Sequence, residues 1–278
     1  MGRRTWRRRA GLAAACAVLP FAAAVDAASA QADPYSVLVF TKNATVGATE
    51  GVAALQASAP PEATFDVTAD ASKFTDAGLA PYKAVVFLNT TGDVLDASQE
   101  AAFEKYFRAG GGFLGVGSAI TTEPSSAFFT NILGTRASGA ATTTQQATIK
   151  VADRGHSAGK DLPEYYTRTD RWFNFTSNVR GFSHVIATVD EKTYVGGTMG
   201  VTAPPAEHPI VWCKDYQGGR SFYTGLGTRP TGSPRRTSAS TSAAPSSGRP
   251  ARPTPSTATA ARPCSRIISR PRSRLRRT

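Results

Sequence analysis

Ala84-Val85-Val86-Phe87-Leu88 is an unbroken apolar run closed by Asn89-Thr90-Thr91-Gly92-Asp93. No polar residue alternates into it, so neither side can face water. A strand of this kind needs cover on both faces, which points to the interior of a parallel sheet. The flanking sequence alternates accordingly. Residues 36–41 and 64–68 read as strands, with a helix over 49–57 between them, ended by Pro60-Pro61. Residues 76–80 form a short helical turn. Asp96 opens the strongest helix, because Gln99 three residues on completes a capping-box pair. Phe103, Tyr106 and Phe107 give that helix its apolar stripe, and Gly110-Gly111-Gly112 stops it before a strand at 113–116. The second half carries strands at 147–151, 184–189, 209–213 and 221–224, the last two joined at Gly218-Gly219. The expected fold is therefore α/β: a flavodoxin-like, mostly parallel sheet flanked by helices, with a β-rich second half. No final helix follows the last strand, so one face of the sheet is expected to be partly bare.

The chain has 278 residues and a formal net charge of +12. That charge is not spread evenly: residues 1–30 carry +4, residues 31–227 carry −4 and residues 228–278 carry +12. The acidic middle argues against a specific nucleic-acid binder. It also confines the foldable material to about 200 residues, one domain's worth.

Residues 1–30 read as an export leader. Arg3, Arg4, Arg7, Arg8 and Arg9 precede an uncharged apolar run over 10–25, and Ala28-Ser29-Ala30 is a small-residue cleavage site. The run is short for a bilayer span, so no membrane anchor is expected once the leader is removed. The mature protein is expected to be secreted or extracytoplasmic, in an oxidising setting. Only Cys213 and Cys264 then remain. Cys213 reads as a small buried residue in a strand.

Residues 228–278 consist almost wholly of Arg, Pro, Ser, Thr, Ala and Gly, with Ile267, Ile268 and Leu275 as the only large aliphatic residues. Such a segment cannot bury enough apolar surface to offset its ordering entropy, so a disordered C-terminal tail is expected. Three origins compete: a solvated or wall-associating tail, a polyanion-binding arm, or a shifted reading frame in GC-rich DNA. The break after Gly227 is abrupt and favours the last.

In open α/β sheets, ligands bind beyond the carboxyl ends of the strands. The loops 41–49, 89–93 and 115–123 should meet there. Asn89, Thr91 and Asp93 suit sugar hydroxyls, and equally suit a turn leading into a helix. Gly115-Val116-Gly117-Ser118 leaves a strand where related sheets carry a nucleophile, but Gly117 has no side chain. Gly117 and Ser118 therefore read as a backbone hydroxyl- or anion-binding turn. Arg168, Asp170 and Trp172 fall in Arg168-Thr169-Asp170-Arg171-Trp172-Phe173-Asn174-Phe175. An exposed Trp beside Arg and Asp would stack on a sugar ring. The same residues would also make an apolar cap with a structural ion pair. Acid/base candidates are Asp93, Glu123, His156 and Asp170. His156, His184 and His208 lack metal-ligand spacing, and no metal or cofactor is implied.

These segments together resemble the ThuA-like (trehalose-utilisation) family over about residues 35–227. The resemblance rests on Val37-Leu38-Val39-Phe40, the run from Ala84 to Leu95, Gly110-Gly111-Gly112-Phe113-Leu114-Gly115-Val116 and the Arg168–Phe175 segment. His208-Pro209-Ile210-Val211-Trp212-Cys213 and Gly218-Gly219-Arg220-Ser221-Phe222-Tyr223-Thr224-Gly225-Leu226-Gly227 complete it. It implies a class I glutamine-amidotransferase-like fold and a link to carbohydrates, in a family often secreted. Three histidines typical of such proteins are missing, at Thr45-Val46-Gly47-Ala48, at Gly117 and at Thr228. The expected function is thus carbohydrate or polyol binding without the usual catalytic residues. The alternatives are a hydrolase-type enzyme on a sugar derivative and a wall- or polyanion-binding protein acting through its tail. The third histidine is lost where the tail begins. Resequencing the locus is expected to reveal a frame change near codon 228, and an intact frame shared by sister strains would refute it.

Overall fold

The computed structural model describes residues 33–44, 47–199 and 207–228. The expected leader lies outside them, as does the tail apart from Thr228. The elements run β1 (Tyr35–Phe40), α1 (Ala48–Ser58), β2 (Ala63–Thr68), α2 (Asp76–Leu79), β3 (Tyr82–Leu88), α3 (Ala97–Arg108) and β4 (Gly112–Val116). After a 3₁₀ turn at Gly117–Thr121 come α4 (Ala127–Leu133), β5 (Ala137–Ala140), β6 (Gln145–Val151), β7 (Tyr165–Asp170) and β8 (Phe173–Phe175). The last strands are β9 (His184–Val189), β10 (His208–Tyr216) and β11 (Gly219–Thr224).

One sheet of nine strands organises the domain, in the order β2-β1-β3-β4-β11-β10-β9-β6-β7. Its first five strands are parallel and follow a doubly wound order, with the reversal between β1 and β3. The remaining pairings are antiparallel. The flavodoxin-like expectation therefore describes the parallel half, and "mostly parallel" is corrected to a mixed sheet. β5 and β8 pair separately as a two-stranded ribbon.

The apolar run in β3 is buried on both sides. Val85 and Phe87 join Leu38, Phe40, Phe103, Phe113 and Phe129 in the larger core under α2, α3 and α4. Val86 and Leu88 join Val37, Val39 and Val116 on the opposite face, where Val52 and Leu55 of α1 pack. The aromatic rings of the larger core meet mostly edge to face, as between Phe40 and Phe87 at 5.3 Å and between Phe87 and Phe129 at 5.4 Å. Asp96 caps α3 as expected: its carboxylate accepts from Ser98 and Gln99 N–H, and Gln99 returns a bond to the Asp96 N–H.

Some local expectations differ. Residues 117–121 form a 3₁₀ turn, and the regular helix starts only at Ala127, where the Ser126 hydroxyl accepts from the Phe129 N–H. The β10–β11 turn is Gln217-Gly218, with φ of 44° and 98°, one residue before the Gly-Gly pair that marked it. Both central residues are left-handed, the requirement of a tight hairpin turn matched to strand twist. β5, β7 and β8 escaped the pattern. β7 is an edge strand of polar residues, YYTRTD, without an apolar run. Cys213 is buried, as expected, but it is disulfide-bonded.

His208 opens β10 at 1 % exposure. Its Nε2 donates to the Phe173 carbonyl at 2.7 Å, and its Nδ1 lies 2.9 Å from both the Tyr194 hydroxyl and Glu191 Oε1. Burial holds the imidazole below its ordinary value, against the opposing pull of Glu191. Burial thus disfavours the charged ring, and in the neutral form the Tyr194 hydroxyl can donate to Nδ1. A His with a depressed folded value stabilises the fold above its unfolded value, about 6.5, and loses that contribution as the pH falls. Urea midpoints are expected to drop between about pH 7.5 and pH 5, and the drop should shrink in His208→Gln; an unchanged profile in the variant would refute the assignment.

Candidate functional site at the carboxyl ends of the parallel strands

The loops after β1, β3 and β4 converge where the strand order reverses. They are sewn together by side-chain bonds. Asn43 Nδ2 donates to the Thr91 carbonyl at 3.3 Å, and the Thr91 hydroxyl donates back to the Asn43 carbonyl at 3.1 Å. Lys42 Nζ donates to the Val94 carbonyl at 2.8 Å. The buried hydroxyls of Thr90 and Thr122 are 2.6 Å apart.

Glu123 sits at 5 % exposure with a left-handed φ of 47°. Its Oε1 accepts from the N–H groups of Val94 and Leu95 at 2.7 and 2.8 Å. Burial raises its carboxyl value; the two N–H bonds oppose this, and nearby Asp93 and Glu100 add to it. Arg136 braces the same loop by donating to the carbonyls of Thr122, Glu123 and Ser126. Nothing in the Gly134-Thr135-Arg136 sequence marks this role, because the loop it serves lies a helix away.

Asn89 is the second hub. It is 2 % exposed and left-handed, with φ of 54°. Its Nδ2 donates to the Gly227 carbonyl at 2.8 Å, and its Oδ1 accepts from the Ser118 N–H at 3.1 Å. Gly117 beside it also has a positive φ, 56°, and a Cβ there would stand 2.1 Å from Asn89 Oδ1 and 2.9 Å from Thr228 Cγ2. Positions 117 and 228, two of the three that the resemblance assigns to histidine, are therefore neighbours. The third, within residues 45–48, falls partly outside the described residues.

Asp170 is fully buried. Its Oδ2 accepts from Arg168 Nε at 3.0 Å and the Gly227 N–H at 2.8 Å; its Oδ1 accepts from the Arg171 N–H at 2.9 Å and from the Thr228 hydroxyl. Four donors on one carboxylate leave no lone pair aimed at a substrate.

The sequence candidates thus separate. Asn89, Gly117, Ser118 and Asp170 come together, joined through Gly227 and Thr228. Thr91 and exposed Asp93 lie on the rim near Glu123. Arg168 lies at the edge of a cleft lined also by Leu88, Leu114, Phe222 and Leu226. His156 lies elsewhere: it packs near His184 and Phe222, and its Nε2 is 4.0 Å from Cys213 Sγ. Trp172 is corrected outright. It is 0 % exposed, its indole N–H donates to the Gln145 carbonyl at 2.9 Å, and its ring lies near Tyr194. Its ring is enclosed in the core, so it offers no face to a sugar. Among the described residues no group of three or more metal-ligating side chains converges, and no helix is long and apolar enough to cross a membrane.

A doubly wound parallel half with tethered loops at its switch point defines an α/β domain whose candidate site lies at the carboxyl ends of its strands. The ThuA family profile, described as trehalose utilisation, matches residues 36–233, and the chain belongs to that family. Among solved structures it is similar to a ThuA-like protein from Bacteroides uniformis ATCC 8492, with 22 % identity, TM-score 0.60, and coverage of 73 % of this chain and 86 % of that one. A ThuA-like protein from Parabacteroides merdae ATCC 43184 is similar at 18 % identity and TM-score 0.54, covering 69 % and 79 %. No curated protein matches in sequence.

The Asp170 cluster generates a stability prediction. Asp170→Asn turns one acceptor into a donor facing the Arg168 and Gly227 donors. Breaking a buried pair of this kind costs about 3 kcal/mol, while Arg168→Ala, at a partly exposed partner, should cost about 1 kcal/mol. Urea denaturation of the two variants checks the order, and equal losses would contradict it.

Proposed function

We propose that this ThuA-family chain is an exported protein that binds a carbohydrate or polyol and does not turn it over. The observation that carries this reading is the fate of the polar groups at the switch point. Asn89, Asp170 and Thr228 satisfy one another and the backbone, and Gly117 supplies no side chain. What stays exposed is a tethered polar rim, with Asp93 on its surface and Thr91 beside it. Such a rim offers hydrogen-bond partners to hydroxyls without a free acid/base pair, which catalysis at this place would need. The family's description as trehalose utilisation supports a sugar as the ligand class.

One observation favours a second reading. Burial raises the Glu123 carboxyl value, and nearby Asp93 adds to the rise, a direction that favours the protonated acid. In that reading Glu123 is a general acid on a sugar derivative, although both of its mapped bonds serve the loop backbone.

Calorimetric titration of the exported chain with plain and oxidised disaccharides is expected to detect binding. The double variant Thr91→Ala, Asp93→Ala should weaken it about tenfold, roughly 1.4 kcal/mol, with only a small fall in melting temperature from the lost Thr91–Asn43 bond. Product analysis over long incubation should find the sugars intact. Turnover that Glu123→Gln abolishes in a folded protein would sink the binding-only reading in favour of the second.

A further inference from the structure

The nine-stranded sheet ends in two edges, β2 and β7, and they are charged differently. Every charged residue from 62 to 70 is acidic: Glu62, Asp66 and Asp70. Two copies of the β2 edge laid together would set carboxylates against carboxylates, a common guard against edge pairing. The β7 edge carries mixed charge, with Glu164, Arg168 and Arg171 around its exposed positions Tyr165, Thr167 and Thr169.

The register shows which backbone groups of β7 are open. The Val151 N–H donates to the Glu164 carbonyl at 2.8 Å, so these two form a narrow pair in the β6–β7 ladder. Narrow and wide pairs alternate along an antiparallel ladder. The wide pairs are then Lys150–Tyr165, Thr148–Thr167 and Gln146–Thr169. Thr148 agrees, because its carbonyl and N–H turn the other way, to the Asp190 N–H and the Thr193 hydroxyl, both at 2.9 Å. The N–H and C=O groups of Tyr165, Thr167 and Thr169 therefore point off the edge of the sheet. No described residue bonds to them, and Tyr165 is 55 % exposed.

The strand complements itself. Laid antiparallel to a copy about a two-fold axis at Thr167, Tyr165 meets the partner's Thr169 and Thr167 meets its own counterpart. Each outward residue then donates and accepts one backbone bond, and the side-chain pairs are Tyr–Thr and Thr–Thr, which sheets favour. On the other face half-buried Tyr166 stands opposite the partner's Arg168, a cation against an aromatic ring. Glu164 falls diagonal to that arginine, whose Nε alone is engaged, by Asp170. Asp170 itself, opposite Glu164, is buried and already bonded by four donors. Neighbouring registers are worse. An axis at Arg168 opposes two guanidinium groups, and an axis at Tyr166 sets Thr169 against Pro163, which has no N–H.

We propose that β7 is a self-docking edge: two copies of this chain pair through Tyr165–Asp170 about a two-fold axis at Thr167 and join their sheets into one. The occupant is a second copy because the charges on this strand match across that axis. The contact is small, so the dimer is reversible and its population grows with concentration. The sugar reading plays no part in this inference.

Sedimentation velocity on the full chain, from about 1 μM to about 1 mM, should show a monomer–dimer equilibrium. Thr167→Lys sets two ammonium groups against each other at the axis, and Thr167→Pro removes only an N–H that serves nothing within the chain. Both should melt near the parent's temperature and raise the dimer dissociation constant about tenfold or more. Thr167→Cys should give, on mild oxidation, a crosslink joining position 167 of two copies, because Cα atoms of a narrow pair lie about 5.5 Å apart, within disulfide range. A chain monomeric throughout that range, a dimer that both substitutions leave intact, or crosslinks from position 167 to native cysteines alone would overturn the proposal. If the lysine and proline variants melt early, the crosslink decides, and its absence overturns the proposal.

Discussion

The Asp170 carboxylate holds together the end of the molecule where the candidate site lies. It sits at the end of β7, the far edge of the sheet in strand order, and receives bonds from the turn that follows β11, near the sheet's middle. One buried anion thereby fixes the relative placement of two segments almost sixty residues apart in sequence. Asn89 continues the chain of bonds from Gly227 to the turn after β4. Remove the carboxylate, and the Gly227 N–H, the Arg171 N–H and Arg168 Nε all lose their shared acceptor. Buried donors without partners are costly, so the cluster holds or fails as a unit.

Much of this architecture was legible in sequence where burial leaves a one-dimensional trace. The run over Ala84–Leu88 reads as a doubly covered strand because any polar residue within it would be stranded in a core. The Asp96 cap was legible because its partners lie two and three residues away. By contrast, β7 pairs on one side only and its residues alternate in exposure, so YYTRTD carries no apolar signature. Trp172 shows the limit for the site. Its neighbours Arg171 and Asp170 suggest a polar surface, yet the ring is fully buried. The direction of a side chain next to a strand end depends on what packs above it, and that is settled by distant segments such as Gln145 and Tyr194.

The site itself was half legible. The sequence identifies the three loops that meet there. It cannot reveal that Asp170 spends all its bonding capacity on backbone and neighbours, since its Gly227 and Thr228 partners lie far along the chain. Nor does it separate Glu123 as clamp from Glu123 as acid. Both roles draw on the same burial, and only the N–H groups of Val94 and Leu95 show that the carboxylate holds a loop in place.

Gly117 constrains which residues its neighbours can be. Its left-handed φ and the Asn89 oxygen pressed against its missing Cβ make the position a locked door. Any side chain placed there alone would collide with the amide that joins β3, the turn after β4 and the turn after β11. Position 89 would have to change with it, at the cost of that junction. A side chain at 117 and the tie made by Asn89 therefore exclude each other, and the packing of a single glycine keeps the junction closed.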